Sequence, residues 1–398
     1  MSGPLAGISI VDLSSVGMGP YATQMLADMG ADVIKVEAPS GDPFRAVDPA
    51  RNPGMGAPFL NLNRNKRSIA LDLKQPSERA ILDGLLDRAD VFVSNTRPQA
   101  LAKLGLDYPT VSASRPGLIY CGLNGFSEAG PYAGRPAFDD IIQAMSGLAW
   151  LQGQNGQEPT YVNTIIADKV TGLAAVGAIT MALFERERSG LGQAIEVPMF
   201  EFMTSFNLIE HMSGATFDPP TETAGYARVL SPDRRPYRTL DGHVSLLPYT
   251  TAHWRRFFIA AGRPDFADAP DLLDAAARSR TIDLWYQRLA ALVAERSTAD
   301  WLALANEIDV PIAPLQSLDD VLADPHLAQI GMFRRDRHPT EGAVITTGIP
   351  ITFSRTPGSI RSLAPRLDEH RDEIVGELAT DIDRSRVART APANRRPR

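Results

Sequence analysis

The first 125 residues alternate short apolar runs with segments of helical spacing, and this rhythm limits the fold more than any other feature. GISIVDL reads as a strand, Tyr21–Met29 as a helix stopped by Gly30, and ADVIKVE as a second strand. SIALDLK, ADVFVSN and GLIYCGL read as further strands. Helices are expected over Ser77–Arg88, just behind Pro76, and over Gln99–Leu104. Repeated strand–helix–strand units build an open, mainly parallel sheet with helices on both faces, so the expected class is α/β. Ligands of such sheets sit beyond the carboxyl ends of the strands, where the turns Ser14–Pro20, Asn95–Pro98 and Leu123–Phe126 would gather.

Beyond that region, residues 139–150 and 168–189 read as helices. The second is rich in Ala, Gly, Val and Leu and ends in Glu185-Arg186-Glu187-Arg188 before Gly190, the pattern of a core helix whose last turn reaches water. The apolar run Val170–Phe184 is too short to span a bilayer, so no membrane association is expected. QAIEVPMFE returns to strand and opens another helix. RPYRTLDGHVSLLPY reads as a hairpin turning at Asp241-Gly242, followed by helices up to Ile308. The expected organisation is a large domain over 1–211, a linker over 212–235, a smaller α+β domain over 236–330, a return to the large domain over 331–380, and a basic tail over 381–398 read as disordered. The net charge of −7 argues against a nucleic-acid partner. Cys121 is the only cysteine and reads as a buried core thiol, and MSGPLAGISIVDLS has no apolar leader, so a cytoplasmic location is expected.

The chemistry is less sharply marked. Gly17-Met18-Gly19-Pro20-Tyr21-Ala22 fits a dinucleotide fingerprint, with Glu37 where an acid would hold a ribose. Ser14-Ser15-Val16 separate it from the strand and its third glycine is alanine. The alternative is a plain helix start with Pro20 at the first helical position. The six histidines (211, 243, 253, 326, 338, 370) are scattered without metal-ligand spacing, so no metal site is expected. Arg64, Lys66, Arg67 and Lys74 fall within eleven residues and either hold phosphates or decorate a solvated strand edge. Arg97 would project from the ligand-facing edge of the sheet, toward a ligand or as a surface ion-pair residue. Asp168 precedes the core helix; it caps that helix, or the helix start keeps it ionised as a nucleophile. Phe138, Trp150, Tyr161, Tyr249 and Trp254 serve as core or shape an acyl pocket.

Taken in order, LAGISIVDLSS…GPYATQMLADMGADVIKVEAPSGDPFR, NRNKRSIALDLK, ADVFVSNTRPQALAKLGL, IYCGLNGFSEAGPYAGRPAFDDIIQAMSG, IIADKVTGLAAVGAI, SGLGQAIEVPMFE, PYRTLDGHVSL and APRLDEHRDEIV resemble the class III CoA-transferases over roughly residues 5–378. That family includes formyl-CoA transferase and carnitine CoA-transferase, with α-methylacyl-CoA racemase a relative. The resemblance implies a Rossmann-like large domain built from both chain ends, a smaller inserted domain, and two interlocked subunits forming a homodimer. It implies coenzyme A or acyl-CoA as substrate, a carboxylic acid as partner, and no tightly bound cofactor. Asp168 is similar to the family's catalytic aspartate. Val16, Gly17 and Met18 match the turn near the CoA thiol arm. Leu71 to Lys74 match the adenine and phosphate region. Asn95, Thr96 and Arg97 match the segment beneath pantetheine and pyrophosphate, and Lys103 a basic phosphate partner. The implied function is transfer of CoA from a thioester to an acceptor acid through aspartyl anhydride and aspartyl-CoA intermediates. A racemase moving a Cα proton and a non-catalytic CoA-binding protein are the alternatives. Departures bear on both enzymes: Ala38 replaces a basic CoA-binding residue of formyl-CoA transferase, LLPYTTAHW replaces its glycine-run loop, and Phe138-Asp139 lacks the histidine of the racemase. Asp139 reads as structural.

Overall fold

The computed structural model describes residues 3–156 and 158–390. The chain divides into two compact units. The first comprises the residues up to Ser146, Asn163–Thr204 and the residues from Gln329 on; the second comprises Gly147–Val162 and Ser205–Ala328.

Six strands form the sheet of the first unit: β1 (Ser9–Asp12), β2 (Asp32–Glu37), β3 (Lys66–Ala70), β4 (Val91–Ser94), β5 (Ile119–Asn124) and β6 (Ala194–Pro198). Their spatial order is β3-β2-β1-β4-β5-β6 and every neighbouring pair is parallel. Ile10 faces Val33 on one side and Val91 on the other, so the order reverses across β1. Such a reversal opens a crevice at the carboxyl ends of β1 and β4. The helices relevant to the site are α1 (Met18–Asp28), α2 (Pro76–Leu86), α3 (Pro98–Lys103), α4 (Asp139–Met145), α5 (Ile166–Ser189) and α6 (Met199–His211). β1, β2 and β4 are buried on both faces, as their near-continuous Val and Ile runs require. Cys121 is fully buried in β5, and burial pushes its thiol up to about 12.

The C-terminal part of the first unit carries the hairpin Phe333–His338/Gly342–Thr347 and the helix Arg371–Thr390. It also covers the exposed edge of β3. His370 N–H donates to the Ser68 carbonyl at 3.0 Å, and Ala70 N–H donates to the Asp368 carboxylate at 2.8 Å. The edge is thereby paired instead of being left open to another chain. Ile374 and Leu378 pack into the same core as Val36, Ile69 and Leu85.

The second unit has a small antiparallel sheet of β7 (Tyr237–Arg238), β8 (His243–Leu246) and β9 (Ile312–Pro314). Against it lie α7 (Thr251–Ala260), α8 (Ile282–Val293) and α9 (Thr298–Glu307), with Trp254, Phe257, Phe258, Trp285 and Trp301 in one core.

Several boundaries differ from the sequence reading. α1 begins at Met18, so Pro20 is its third residue, where a missing N–H costs nothing. β3 ends at Ala70 because Asp72 starts a turn, accepting from Lys74 N–H through its side chain and from Gln75 N–H through its carbonyl. The helix expected over 139–150 is broken at Gly147, which has φ +83°. The 212–235 segment lies inside the second unit and contains the short helix Ala227–Leu230. The C-terminal helix runs on to Thr390, so residues 381–390 are helical where disorder was expected; residues 391–398 lie outside the described residues.

α5 has 24 residues and is long and apolar enough by length and composition to cross a membrane, so the length argument made on Val170–Phe184 does not hold. It is not an all-round core helix either. Ala167, Thr171, Ala175 and Ile179 are buried on one face, while Leu173, Met181 and Phe184 are exposed on another. Of the five aromatic and apolar positions singled out, only Trp254 is core; Phe138, Trp150, Tyr161 and Tyr249 are exposed.

Candidate active site

The turn between β1 and α1 is held at every polar backbone group from Ser14 to Val16 except one carbonyl. Ser14 N–H donates to Asp12 Oδ1 at 3.0 Å, and the Ser14 carbonyl accepts from Lys35 Nζ at 2.8 Å. Asn95 grips Ser15 twice: Oδ1 accepts from its N–H at 3.0 Å, and Nδ2 donates to its carbonyl at 2.7 Å. The Val16 N–H donates to the Asp42 carboxylate at 3.2 and 3.3 Å. Val16 has φ +68°, a conformation that a β-branched residue adopts only under constraint. Asn95 follows β4, so its grip spans the switch point of the sheet.

Two buried ion pairs support this turn. Lys35 and Asp42 meet at 2.9 Å and Lys66 and Asp12 at 3.1 Å, all four side chains fully buried. Burial works to raise the Asp12 pKa, yet Lys66, Lys35 and the hydroxyls of Ser14 and Thr23 hold it down at about 2. Burial lowers Lys66 to about 8 against the pull of Asp12. Both lysines therefore serve the interior. Lys35 and Asp42 were not singled out from sequence; the available signal was a lysine interrupting the apolar strand ADVIKVE.

Above the pairs lies an open cleft of about 450 Å³, lined by Ser14, Ser15, Lys35, Asp42, the Leu71–Lys74 segment, Thr96, Leu101 and Leu104. Of the residues matched to CoA contacts, Leu71, Lys74 and Thr96 thus line this cleft. Arg97 caps the start of α3 and Lys103 ends it, both exposed. Among the described residues Lys74, Arg97 and Lys103 form no ion pair, which leaves their charges free for phosphate. The other cations proposed for that role are spent. Arg64 pairs with Asp28 at 2.7 Å, Lys66 with Asp12, and Arg67 with Asp32 at 2.6 Å. Glu37, placed by sequence at a ribose, is bound on both oxygens by Arg45 at 2.7 Å and takes the Ser68 hydroxyl at 2.7 Å. It has no capacity left for a dinucleotide ribose, which removes the basis of that reading.

Asp168 approaches the other end of the turn. A methyl built on Gly17 would overlap Asp168 Oδ2 and stand 3.0 Å from Cγ, so only glycine lets the backbone come this close. Behind it, the Gly172 position lets α5 lie against the Met18 carbonyl: a methyl there would be 2.8 Å from that oxygen. Asp168 is the third residue of α5 rather than its cap. The cap function falls to Asp139, whose Oδ1 accepts from Asp168 N–H at 3.0 Å while Oδ2 accepts from Gln143 Nε2 at 2.6 Å. Burial, then the Asp139 charge, push the Asp168 carboxyl up to about 7. Of the two alternatives read from sequence, the cap is taken by Asp139, and the pull of the helix start toward an ionised Asp168 is outweighed by desolvation and a second carboxylate. The histidines of this unit, His338 and His370, are engaged near Ala364 and Ser68. Among the described residues no group of His, Cys, Asp and Glu could hold a metal ion.

The sequence profile of CoA-transferase family III matches residues 5–371. The chain belongs to CoA-transferase family III, and it is an enzyme with CoA-transferase activity. It is 34% identical to a succinate–glutarate CoA-transferase of Agrobacterium fabrum, covering 95% of this chain and 96% of that one. It is 33% identical to a succinyl-CoA:mesaconate CoA-transferase of Haloarcula hispanica, covering 97% and 99%. Among solved structures, a CaiB/BaiF family protein from Brucella suis matches with a TM-score of 0.79 and 33% identity, over 95% of this chain and 100% of that one.

The raised pKa has a consequence for stability. In the unfolded chain Asp168 ionises near 4; in the folded chain it ionises near 7. The cost of burying its charge therefore builds above about pH 4 and is complete above about pH 7. Asp168→Asn is expected to be more stable than the wild type in urea titrations at pH 8.5, by on the order of 1–4 kcal/mol. The gain is expected to vanish at pH 4. A difference independent of pH would contradict the site electrostatics.

Proposed function

We propose that the enzyme moves CoA between dicarboxylic acids, with succinyl-CoA as donor, through covalent intermediates on Asp168. The observation that carries this reading is the contact of Gly17 with the Asp168 carboxylate at the mouth of the clamped turn. CoA laid in the cleft would set its phosphates near Lys74, Arg97 and Lys103 and bring its thiol end along Val16–Met18 to Asp168. The named relatives are a succinate–glutarate and a succinyl-CoA:mesaconate CoA-transferase, which supports the substrate class.

The chemistry closes without an external acid or base. An Asp168 oxygen attacks the thioester carbonyl, the C–S bond breaks, and CoA thiolate leaves a mixed anhydride. The thiolate attacks the aspartyl carbonyl, forms aspartyl-CoA and releases the donor carboxylate. The acceptor carboxylate then attacks aspartyl-CoA, and the returning thiolate attacks the acceptor carbonyl of the second anhydride. New acyl-CoA departs and the Asp168 carboxylate is restored. Each step exchanges one nucleophile for one leaving group, so the thioester energy is kept and no proton moves. Attack needs the ionised carboxylate. A desolvated carboxylate is a stronger nucleophile than a hydrated one, which gives the burial of Asp168 a use.

We also infer a working homodimer. Leu173, Met181 and Phe184 stand exposed along α5, and a second copy of the chain would cover them. Light scattering is expected to return twice the chain mass; the mass of one chain would contradict this.

Asp168→Ala is expected to retain CoA binding in the cleft and to lose transfer to background. Mass spectrometry of wild-type protein with succinyl-CoA alone is expected to find CoA on the peptide containing Asp168. Full transfer by the alanine variant, or an adduct elsewhere, would sink the assignment.

A further inference from the structure

Asp139 is tied into the site at more points than a helix cap needs. It opens α4, is 6% exposed, and spends its two oxygens on two elements. Oδ1 takes the Asp168 N–H of α5 at 3.0 Å, and Oδ2 takes Nε2 of Gln143, one turn on in α4, at 2.6 Å. Gln143 is 1% exposed, and the same Nε2 donates to the Thr164 carbonyl at 3.3 Å, just ahead of α5. α4 thus grips the entry of α5 at a carbonyl and at an N–H, and the N–H is that of Asp168 itself. The Asp168 carboxyl in turn lies against Gly17.

A hydroxyl or an amide oxygen would satisfy that N–H as well as a carboxylate does. The carboxylate adds a charge beside a second carboxyl, and like charges this close resist ionisation. Among the described residues neither Asp139 nor Asp168 forms an ion pair. The surroundings offer little relief. The turn Val16–Gly19 carries no charged side chain. Asp42, which holds the Val16 N–H, is paired with Lys35 at 2.9 Å. Lys169, next to Asp168, donates from Nζ to Thr164 Oγ1, and Asp140, next to Asp139, is exposed. Tyr21 of α1 packs at Gly172, one turn further along α5. Burial and then Asp139 act together to push the Asp168 carboxyl up. Acylation turns that carboxylate into a neutral anhydride or thioester, so the repulsion vanishes at each covalent intermediate.

We propose that Asp139 is a positioning residue of the transfer reaction: through the Asp168 N–H it holds the nucleophile against Gly17, and its negative charge raises the free energy of the resting anion that acylation removes. The inference rests on the assignment of Asp168 as nucleophile and adds the group that aims and drives it. Asp139 acts through Asp168 and performs no step itself. Gln143 keeps it in place by occupying its second oxygen.

Two variants separate aim from charge. Asp139→Asn keeps an oxygen for the Asp168 N–H and removes the charge; Asp139→Ala removes both. The full-length wild type and both variants would be assayed for transfer from succinyl-CoA to glutarate over roughly pH 5 to 9. The Asp168 carboxyl would be titrated in each by ¹³C NMR, its resonance assigned with Asp168→Asn. In both variants the NMR midpoint and the acid limb of kcat/KM are expected to fall together by roughly 1 pH unit. They stop short of the ordinary carboxylate range because burial, the larger cause, remains. On the alkaline plateau kcat is expected to drop roughly 3- to 10-fold in Asp139→Asn. Asp139→Ala is expected to lose about tenfold more, because the backbone of Asp168 is released as well. CoA affinity by calorimetry stays within about twofold of the wild type in both, since the cleft does not include Asp139. A midpoint that stays put in Asp139→Asn, or an alanine variant as active as the asparagine variant, would overturn the inference while leaving Asp168 as nucleophile. A wild-type acid limb that does not coincide with the Asp168 midpoint would instead sink the nucleophile reading, and this inference with it.

Discussion

The structure depends on four charges sealed beneath one turn. Lys35, Asp42, Lys66 and Asp12 are fully buried and mutually paired, and through them Ser14 and Val16 are fixed in place. Removing one member of such a pair strands the other in a medium that cannot solvate it, at a cost of about 3–5 kcal/mol. That cost fixes the geometry above the charges. The Ser14 carbonyl must face Lys35 and the Val16 N–H must face Asp42, so Val16 is driven to positive φ and the chain enters α1 with Gly17 turned to Asp168. The cleft, the turn and the carboxylate share one origin.

Asp168 gains its character from conflict. A helix start favours an anion. Burial and Asp139 disfavour it more, and the balance leaves the group titrating near neutrality. Asp139 belongs to both sides of this conflict, since it fixes Asp168 through its backbone N–H while its charge resists ionisation. A carboxylate that is costly to bury as an anion is one that gains by becoming an ester, anhydride or thioester. On the proposed mechanism, the same placement that destabilises the resting charge favours covalent capture of the acyl group.

The parallel sheet, the turn at its switch point and the hairpin at Asp241-Gly242 were legible because each depends on local period or on glycine and proline chemistry. The roles of the cations were not. Arg64, Lys66 and Arg67 look like a phosphate-binding run in sequence, yet each is consumed by an aspartate distant in the chain. Among the described residues Lys74, Arg97 and Lys103 have no such partner, a property of tertiary packing that composition does not encode. Glu37 mimicked a ribose acid for the same reason, its true partner Arg45 lying eight residues on. The apolar sequence of α5 suggested burial on all sides; one face is instead left open.

If Asp168 carries the acyl group and then CoA, as proposed, its own carboxylate oxygens take part in the exchange and can be followed by isotope. An acceptor acid labelled with ¹⁸O in both carboxylate oxygens would be turned over with unlabelled succinyl-CoA, and the peptide containing Asp168 weighed. The mechanism leaves the bridging oxygen of the second anhydride on the aspartate, so Asp168 must gain ¹⁸O and pass it to succinate in the next cycle. Label reaching succinate while Asp168 stays unlabelled would mean that the two acids exchange directly, and Asp168 would not be the nucleophile.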